Sequence, residues 1–358
     1  MSVSRIAEKA GVSIATVSRV LNKSRPVNPR IIEAVHQAIK DLDLPAKPAR
    51  RPRSRSLDHH GTLAIISLGQ SYRGWFEVPV IARVVGEITR IAQEHNMGIL
   101  MAEMPDPQQL SPILRRPDVD GALVFMRAGV SNQDVKTLHT HLPIVGVMGG
   151  QLSPVQVDHV GPDNTAVGYT AGRYLLDKGL RELAYLTTEP SWDFSKLRAQ
   201  GFIAAAQEAG VEPTMYVRKV NGSASLGLYG RKVVTAPDLH ELVRRLVSRI
   251  DARPLGLFVT RDEETVQVYR ILRDLGVEPG KDVTVISCDC DAVRLSTLHP
   301  QPPSIDLEPC EIARHAIRRL ITRLKHRDEP PARILISPRL VECTGEIDHN
   351  GKSSFSFE

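Results

Sequence analysis

Arg198, Arg261, Asp262 and Asp289 fall close behind short apolar, β-branched runs, where a guanidinium or carboxylate offers directional hydrogen bonds to a bound molecule. Aromatic residues are scarce (seven Phe, two Trp, seven Tyr), yet Tyr72, Trp75 and Phe76 follow one such run and Trp192 and Phe194 another. Flat rings beside polar groups suit a sugar or a heterocycle, stacked on its face and hydrogen-bonded at its edge. The plainer reading gives the rings to packing between lobes and makes Arg198 a structural ion-pair partner. Catalytic chemistry finds little support. Cys288 and Cys290 have no histidine in a motif with them, and phosphate-loop, serine-elbow, zinc-protease and dinucleotide signatures are missing from the sequence. His59 with His60, and His139 with His141, have only loose metal-like spacing. The expectation is a chain that is no enzyme and carries no cofactor or metal.

A second constellation lies near the N-terminus. Ser13, Thr16, Ser18 and Asn22 are short polar residues suited to phosphate contact, and Arg19 is a natural bidentate partner for guanine, worth roughly 1–3 kcal/mol of discrimination. Helix caps and ordinary surface residues are the competing explanation.

Both sets need elements to hold them. Apolar residues at helical spacing predict three short helices over 4–10, 14–22 and 29–42, with Gly11 ending the first, Ser13 capping the second and Asn28-Pro29 opening the third. A basic, proline-containing linker follows at 46–60. From Gly61 short strands alternate with helices: strands at 62–68, 97–102, 119–125, 144–147, 183–187, 255–259 and 283–287, helices at 78–95, 132–141, 164–178, 195–209, 239–250 and 263–275. This is the pattern of parallel sheets covered by helices on both faces, and its length calls for two α/β lobes.

The run Ala10-Gly11-Val12-Ser13 followed by Thr16-Val17-Ser18-Arg19-Val20-Leu21-Asn22 resembles the DNA-binding head of the LacI/GalR (lactose-repressor) family. The resemblance implies a helix-turn-helix domain at 1–45 in which Ile14, Ala15 and Arg19 read bases. It extends over 61–345 through Asp163-Asn164, Arg198-Ala199-Gln200-Gly201-Phe202, Asp262 and Cys288-Asp289, which are similar to the family's periplasmic-binding-protein-like (type I) sensor body. The implied fold is α/β: a three-helix head plus a two-lobed body, lobe 1 about 61–160 with 291–323, lobe 2 about 161–290 with 324–345, and a flexible tail at 346–358. The implied function is a transcriptional regulator, a repressor, whose DNA affinity responds to a sugar or sugar-like metabolite. Arg198 and Asp289 match the family's ligand contacts. Two positions depart from it: Arg261-Asp262 replaces Asn-Asp, and Cys288-Asp289-Cys290 replaces an aromatic-Asp-Asp. Arg261 suggests an anionic ligand feature or a pair with Asp289. The linker departs too. Pro48 and Pro52 oppose the family's hinge helix, leaving Lys47, Arg50 and Arg51 to track DNA as an extended arm or to serve as a solvated tether.

Charge is divided accordingly. Residues 1–57 carry 12 Lys/Arg against 4 Asp/Glu, a net of +8, and the remainder 34 against 37, a net of −3. A basic head binds phosphates with strong salt dependence, and a head this small requires a homodimer on a pseudo-palindromic duplex. Helices over 78–95 and 312–323 are candidate dimer surfaces, and no leucine heptads follow that would build a tetramer. Glu8 and Lys9 interrupt any secretory signal, and no apolar run approaches the roughly 20 residues of a membrane span, so a cytoplasmic protein with reduced thiols at Cys288, Cys290, Cys310 and Cys343 is expected. The other classes weighed are an enzyme, an extracellular binding protein, and a DNA-binding regulator that answers to a non-sugar ligand or to none.

Overall fold

The structure is a computed structural model that describes residues 3–22, 27–41, 61–69, 78–106, 109, 111–126, 132–149, 157–219, 226–249 and 254–342. The chain divides into two compact units, one ending at Ser56 and the other beginning at Leu57. The predicted linker at 46–60 with Lys47, Arg50 and Arg51, the residues Tyr72, Trp75 and Phe76, and the tail at 346–358 lie outside the described residues.

The first unit is a trio of helices, α1 (Val3–Ala10), α2 (Ile14–Asn22) and α3 (Pro29–Asp41). Ile6, Ala7, Val17, Val20, Val35 and Ala38 supply its small core, the positions picked out by the helical period. Gly11 takes a left-handed φ of +64° to end α1, Ser13 Oγ accepts from Thr16 N at 3.1 Å to cap α2, and Asn28 Oδ1 accepts from Arg30 N at 3.0 Å ahead of Pro29.

The second unit holds two sheets. The strands in chain order are β1 (Thr62–Leu68), β2 (Gly98–Met104), β3 (Val119–Met126), β4 (Ile144–Val147), β5 (Asp158–Pro162), β6 (Glu182–Thr187), β7 (Thr214–Arg218), β8 (Val233–Ala236), β9 (Leu255–Val259), β10 (Val283–Cys288), β11 (Ser304–Asp306), β12 (Arg333–Ile336) and β13 (Arg339–Val341). The helices are α4 (Pro79–Glu94), α5 (Asn132–His141), α6 (Asn164–Asp177), α7 (Asp193–Glu208), α8 (Leu239–Val247), α9 (Asp262–Asp274), α10 (Ala292–Leu295) and α11 (Pro309–Lys325). One sheet runs β12-β5-β4-β3-β1-β2, all parallel; the other runs β13-β11-β10-β9-β6-β7-β8, parallel but for β13 against β11.

Strand residues are apolar on both faces because both faces are covered. On β1, Leu63 and Ile65 meet α4 and α11, while Ala64 and Ile66 belong to the opposite core, which α5 completes with Val135 and Leu138. In the second sheet Tyr185, Phe258 and Ile286 pack under α6 and α7, and Leu186, Leu257 and Val259 under α8 and α9.

The division of the C-terminal segments differs from the sequence reading. Residues 291–323 were expected in lobe 1 and 324–345 in lobe 2. Instead β11 pairs with β10, placing 304–306 in the second sheet; α11 then packs on the first sheet, β12 joins β5 there, and β13 returns to β11. The chain thus crosses between lobes near 163, 308 and 338, and the pairings responsible involve strands of three or four residues, too short for a period to show. Arg83 of α4 lies 3.4 Å from Asp306 of β11, joining the lobes beside these crossings.

Candidate functional site

In the first unit, α2 buries Val17 and Val20 and turns Ile14, Ala15 and Arg19 to solvent, with Ser13 exposed and Thr16 half-buried. Ile14 is 57% exposed, which leaves its side chain open to solvent at the start of the helix. Ser18 and Asn22 belong to the same helix.

In the second unit the predicted polar residues converge at the carboxyl ends of β6, β9 and β10. Arg198 of α7 is almost fully buried. Its Nε donates to Asn164 Oδ1 at 2.9 Å and its Nη1 to the Thr260 carbonyl, while its Nη2 stands 3.9 Å from Asp289. The guanidinium rests over the Phe194 ring, 4.9 Å from its centroid, and Trp192 stands 5.8 Å beyond Phe194. The rings are held from behind: Tyr185 donates to the Ser195 carbonyl at 2.6 Å and Tyr229 to the Pro190 carbonyl at 3.0 Å.

Arg198 is placed by glycines on two helices. A Cβ on Gly168 of α6 would lie 1.8 Å from the Arg198 carbonyl, and one on Gly201 of α7 would lie 1.9 Å from the Thr165 carbonyl. The α6 and α7 backbones therefore touch, and Arg198 reaches across the start of α6 to Asn164. Asp163 Oδ1 caps that start by accepting from Ala166 N at 2.9 Å.

Asp289 and Cys290 have φ of +110° and +54°, two successive non-glycine residues in a sparsely populated region. Asp289 N donates to the Ile305 carbonyl at 3.1 Å and Cys290 N to Ser304 Oγ at 3.1 Å, which holds the turn. Strain maintained in this way is a mark of functional positions. Burial pushes the Asp289 carboxyl up, against the pull of Arg198 and Arg261. The Cys288 thiol is buried and pushed up by that burial; it faces the core and its Sγ donates to the Ile305 carbonyl at 3.5 Å.

Asp262, expected beside Asp289 as a ligand contact, is turned inward. It is 1% exposed, and its oxygens accept from Ser287 Oγ, from Ser304 Oγ at 3.0 Å and from Asp291 N at 2.6 Å. Its duty is to fix the 289–291 turn. Burial and the neighbouring Asp289 charge push its pKa up to about 7, against those hydrogen bonds. A folded-state pKa above the unfolded value contributes stability that is complete below about pH 4 and lost as the pH rises through 7. From pH 5 to pH 8 the wild-type chain should therefore lose melting temperature relative to Asp262→Asn, which does not titrate there; a wild type that gained on the variant would contradict the inward, partly protonated carboxyl.

Arg261 is 22% exposed in its side chain and donates Nη2 to Glu263 at 2.7 Å. Burial alone would lower its pKa, but the carboxylates of Asp289, Glu264, Glu263 and Glu189 more than offset it. Glu264, buried behind, accepts from Thr188 N at 3.1 Å and Thr260 Oγ1 at 3.1 Å, and so ties the β6 loop to α9.

Several contributors were not singled out from the sequence: Thr260, Glu263, Glu264 and Gly168, while Asn164 was quoted only as part of the family resemblance. The Gly168-to-Gly172 spacing on one helix was the available signal for the close crossing. His159 is nearly buried and bonds the Gly149 carbonyl through Nε2 at 2.6 Å, bracing the turn where Met148 has φ +70°. Burial pushes its pKa down to about 4, so the ring is neutral and Nε2–H donates. Among the described residues no cluster of His, Cys, Asp or Glu could hold a metal, and no helix is long and apolar enough to cross a membrane.

Three family models match the chain: bacterial regulatory proteins of the lacI family over residues 3–44, periplasmic binding proteins and sugar-binding domain of the LacI family over 71–223, and a periplasmic binding protein-like domain over 173–342. The chain is 27% identical over 347 residues to an HTH-type transcriptional repressor PurR of Mannheimia succiniciproducens, covering 95% of this chain and 97% of that protein. Its fold is similar to the transcriptional regulator CelR in a cellobiose complex, with a TM-score of 0.63 and 23% identity over 96% of this chain and 98% of the other. A lac repressor dimer bound to operator and the anti-inducer ONPF has a TM-score of 0.61 and 16% identity, with the same coverages.

Proposed function

Because the chain belongs to the LacI/GalR family of bacterial regulatory proteins, we propose that it is a sequence-specific DNA-binding repressor whose operator affinity is modulated by a small sugar-like metabolite held at the strand-end cluster of the body. The observation that carries the metabolite half is the buried Arg198, stacked on Phe194, with Nη2 left 3.9 Å from a partly exposed Asp289 carboxylate. A donor and an acceptor at that separation, beside Trp192, engage adjacent hydroxyls of a flat polar ring.

In the head, Ile14, Ala15 and Arg19 are the base-reading side chains, and Ser13, Thr16, Ser18 and Asn22 the phosphate contacts. The exposed Ile14 suits a thymine methyl and Arg19 a guanine edge. A homodimer on a pseudo-palindromic operator suits the small footprint of one head, and the cytoplasm is where a bacterial repressor meets its operator. Lys47, Arg50 and Arg51 add phosphate contacts along the linker.

Arg19→Ala should cost roughly 1–3 kcal/mol of discrimination at one base pair per half-site. Selection of binding sequences from a random duplex pool checks this, and an unchanged base profile would make Arg19 a phosphate contact. The function itself is tested by measuring duplex affinity by fluorescence anisotropy against a panel of sugars, sugar acids and nucleobases. One class should shift the affinity by a coupling of roughly 1–3 kcal/mol, and no shift by any compound would leave a DNA-binding protein without this input.

A further inference from the structure

Two arginines at the strand-end cluster would by themselves favour a phosphorylated or carboxylated ligand. Their surroundings argue otherwise. Arg198 uses Nε on Asn164 and Nη1 on the Thr260 carbonyl, and its remaining nitrogen lies 3.9 Å from Asp289. Arg218, on neighbouring β7, lies 3.9 Å from Glu189, whose charge also acts on Arg261. Arg261 makes the shortest pair of the three, 2.7 Å to Glu263. Each of these arginines thus has its own carboxylate.

Glu263 is suited to that task. It lies in the first turn of α9, where free backbone N–H groups and the helix dipole stabilise a negative charge. Its side chain is 51% exposed while that of Arg261 is 22% exposed, so the carboxylate covers the guanidinium from the solvent side. A ligand phosphate would need the same guanidinium and the same helix start.

Building on the effector reading above, we propose that Glu263 is a specificity-determining residue: by holding Arg261 it occupies the guanidinium that an anionic ligand would need, and so selects an uncharged polyhydroxy ligand over its phosphorylated or carboxylated counterpart. Arg261, which the sequence suggested as a mark of an anionic ligand, is then engaged internally. The carboxylate of Glu263 stands in for the ligand's anion.

The test compares the full-length chain with Glu263→Gln in thermal-shift titrations at fixed ionic strength, using glucose, glucose 6-phosphate, gluconate and inorganic phosphate. Removing a partly exposed ion-pair partner and its repulsion should tighten binding of the three anionic probes by roughly five- to tenfold. That gain should vanish in the double variant Arg261→Gln/Glu263→Gln. Equal affinity of wild type and Glu263→Gln for the anions overturns the proposal, as does a gain that survives loss of Arg261. Failure of the effector reading appears separately, as sugars that leave duplex affinity unchanged while the phosphate comparison still separates the variants.

Discussion

Replacing Gly168 by alanine should destabilise the body by about 3 kcal/mol or more and lower its melting temperature by about 6–12 °C. The added Cβ would stand 1.8 Å from the Arg198 carbonyl, a backbone atom that no rotamer change can move aside. Relief requires α6 and α7 to separate, which opens the contact among Val167, Ala171, Ala199 and Phe202, all fully buried. The same shift carries Arg198 away from Asn164, so effector binding should fall along with stability. Gly86 provides the control. It lies within α4 with nothing inside 4 Å of the position its Cβ would take, and Gly86→Ala should be neutral or stabilising by up to about 1 kcal/mol from helix propensity. Calorimetry of the two variants checks the pair, and equal melting temperatures would mean that the helices do not cross in backbone contact.

The second large effect is expected for Asp289→Asn, which should weaken effector affinity by about 10- to 150-fold, the worth of hydrogen bonds to a charged group. Asparagine keeps the size of the side chain and tolerates positive φ better than most residues, which matters at +110°. The charge beside Arg198 and Arg261 disappears, and one oxygen becomes a donor facing two guanidinium groups. Duplex affinity without effector should be unchanged. By linkage, a weakened effector response must be matched by an equally weakened effect of DNA on effector binding. Isothermal titration with and without duplex measures both sides, and loss of duplex binding in the variant would make Asp289 a structural residue.

The site was legible in part, and the reason lies in direction. Arg198 and Asp289 were chosen by type and by place behind strands, and the fold brings them within 3.9 Å. Asp262, chosen by the same rule, faces inward, because it opens a helix beside two serines and a backbone N–H that take its oxygens. Position behind a strand selects the end of the sheet; the rotation of the first helical turn selects which carboxylate is left for a ligand. Arg261 was open to an anionic ligand or to Asp289 as partner, and the short bond goes to Glu263, one residue beyond Asp262.

The family and the head were determined by sequence alone, since a three-helix unit rests on contacts at helical spacing, on caps a few residues away and on a contiguous run from Ala10 to Asn22. The division of charge between head and body and the βαβ class belong to the same level, because composition and periodicity carry them. Only the tertiary structure decided how the C-terminal segments are shared between lobes and which polar groups remain for a ligand. Those outcomes depend on pairing across long stretches of chain, such as Ser304 beside Ser287 or Arg198 against a carbonyl 62 residues away. Strands of three residues and buried hydrogen bonds leave no period behind, and their partners are chosen by what the two cores leave exposed at their edges.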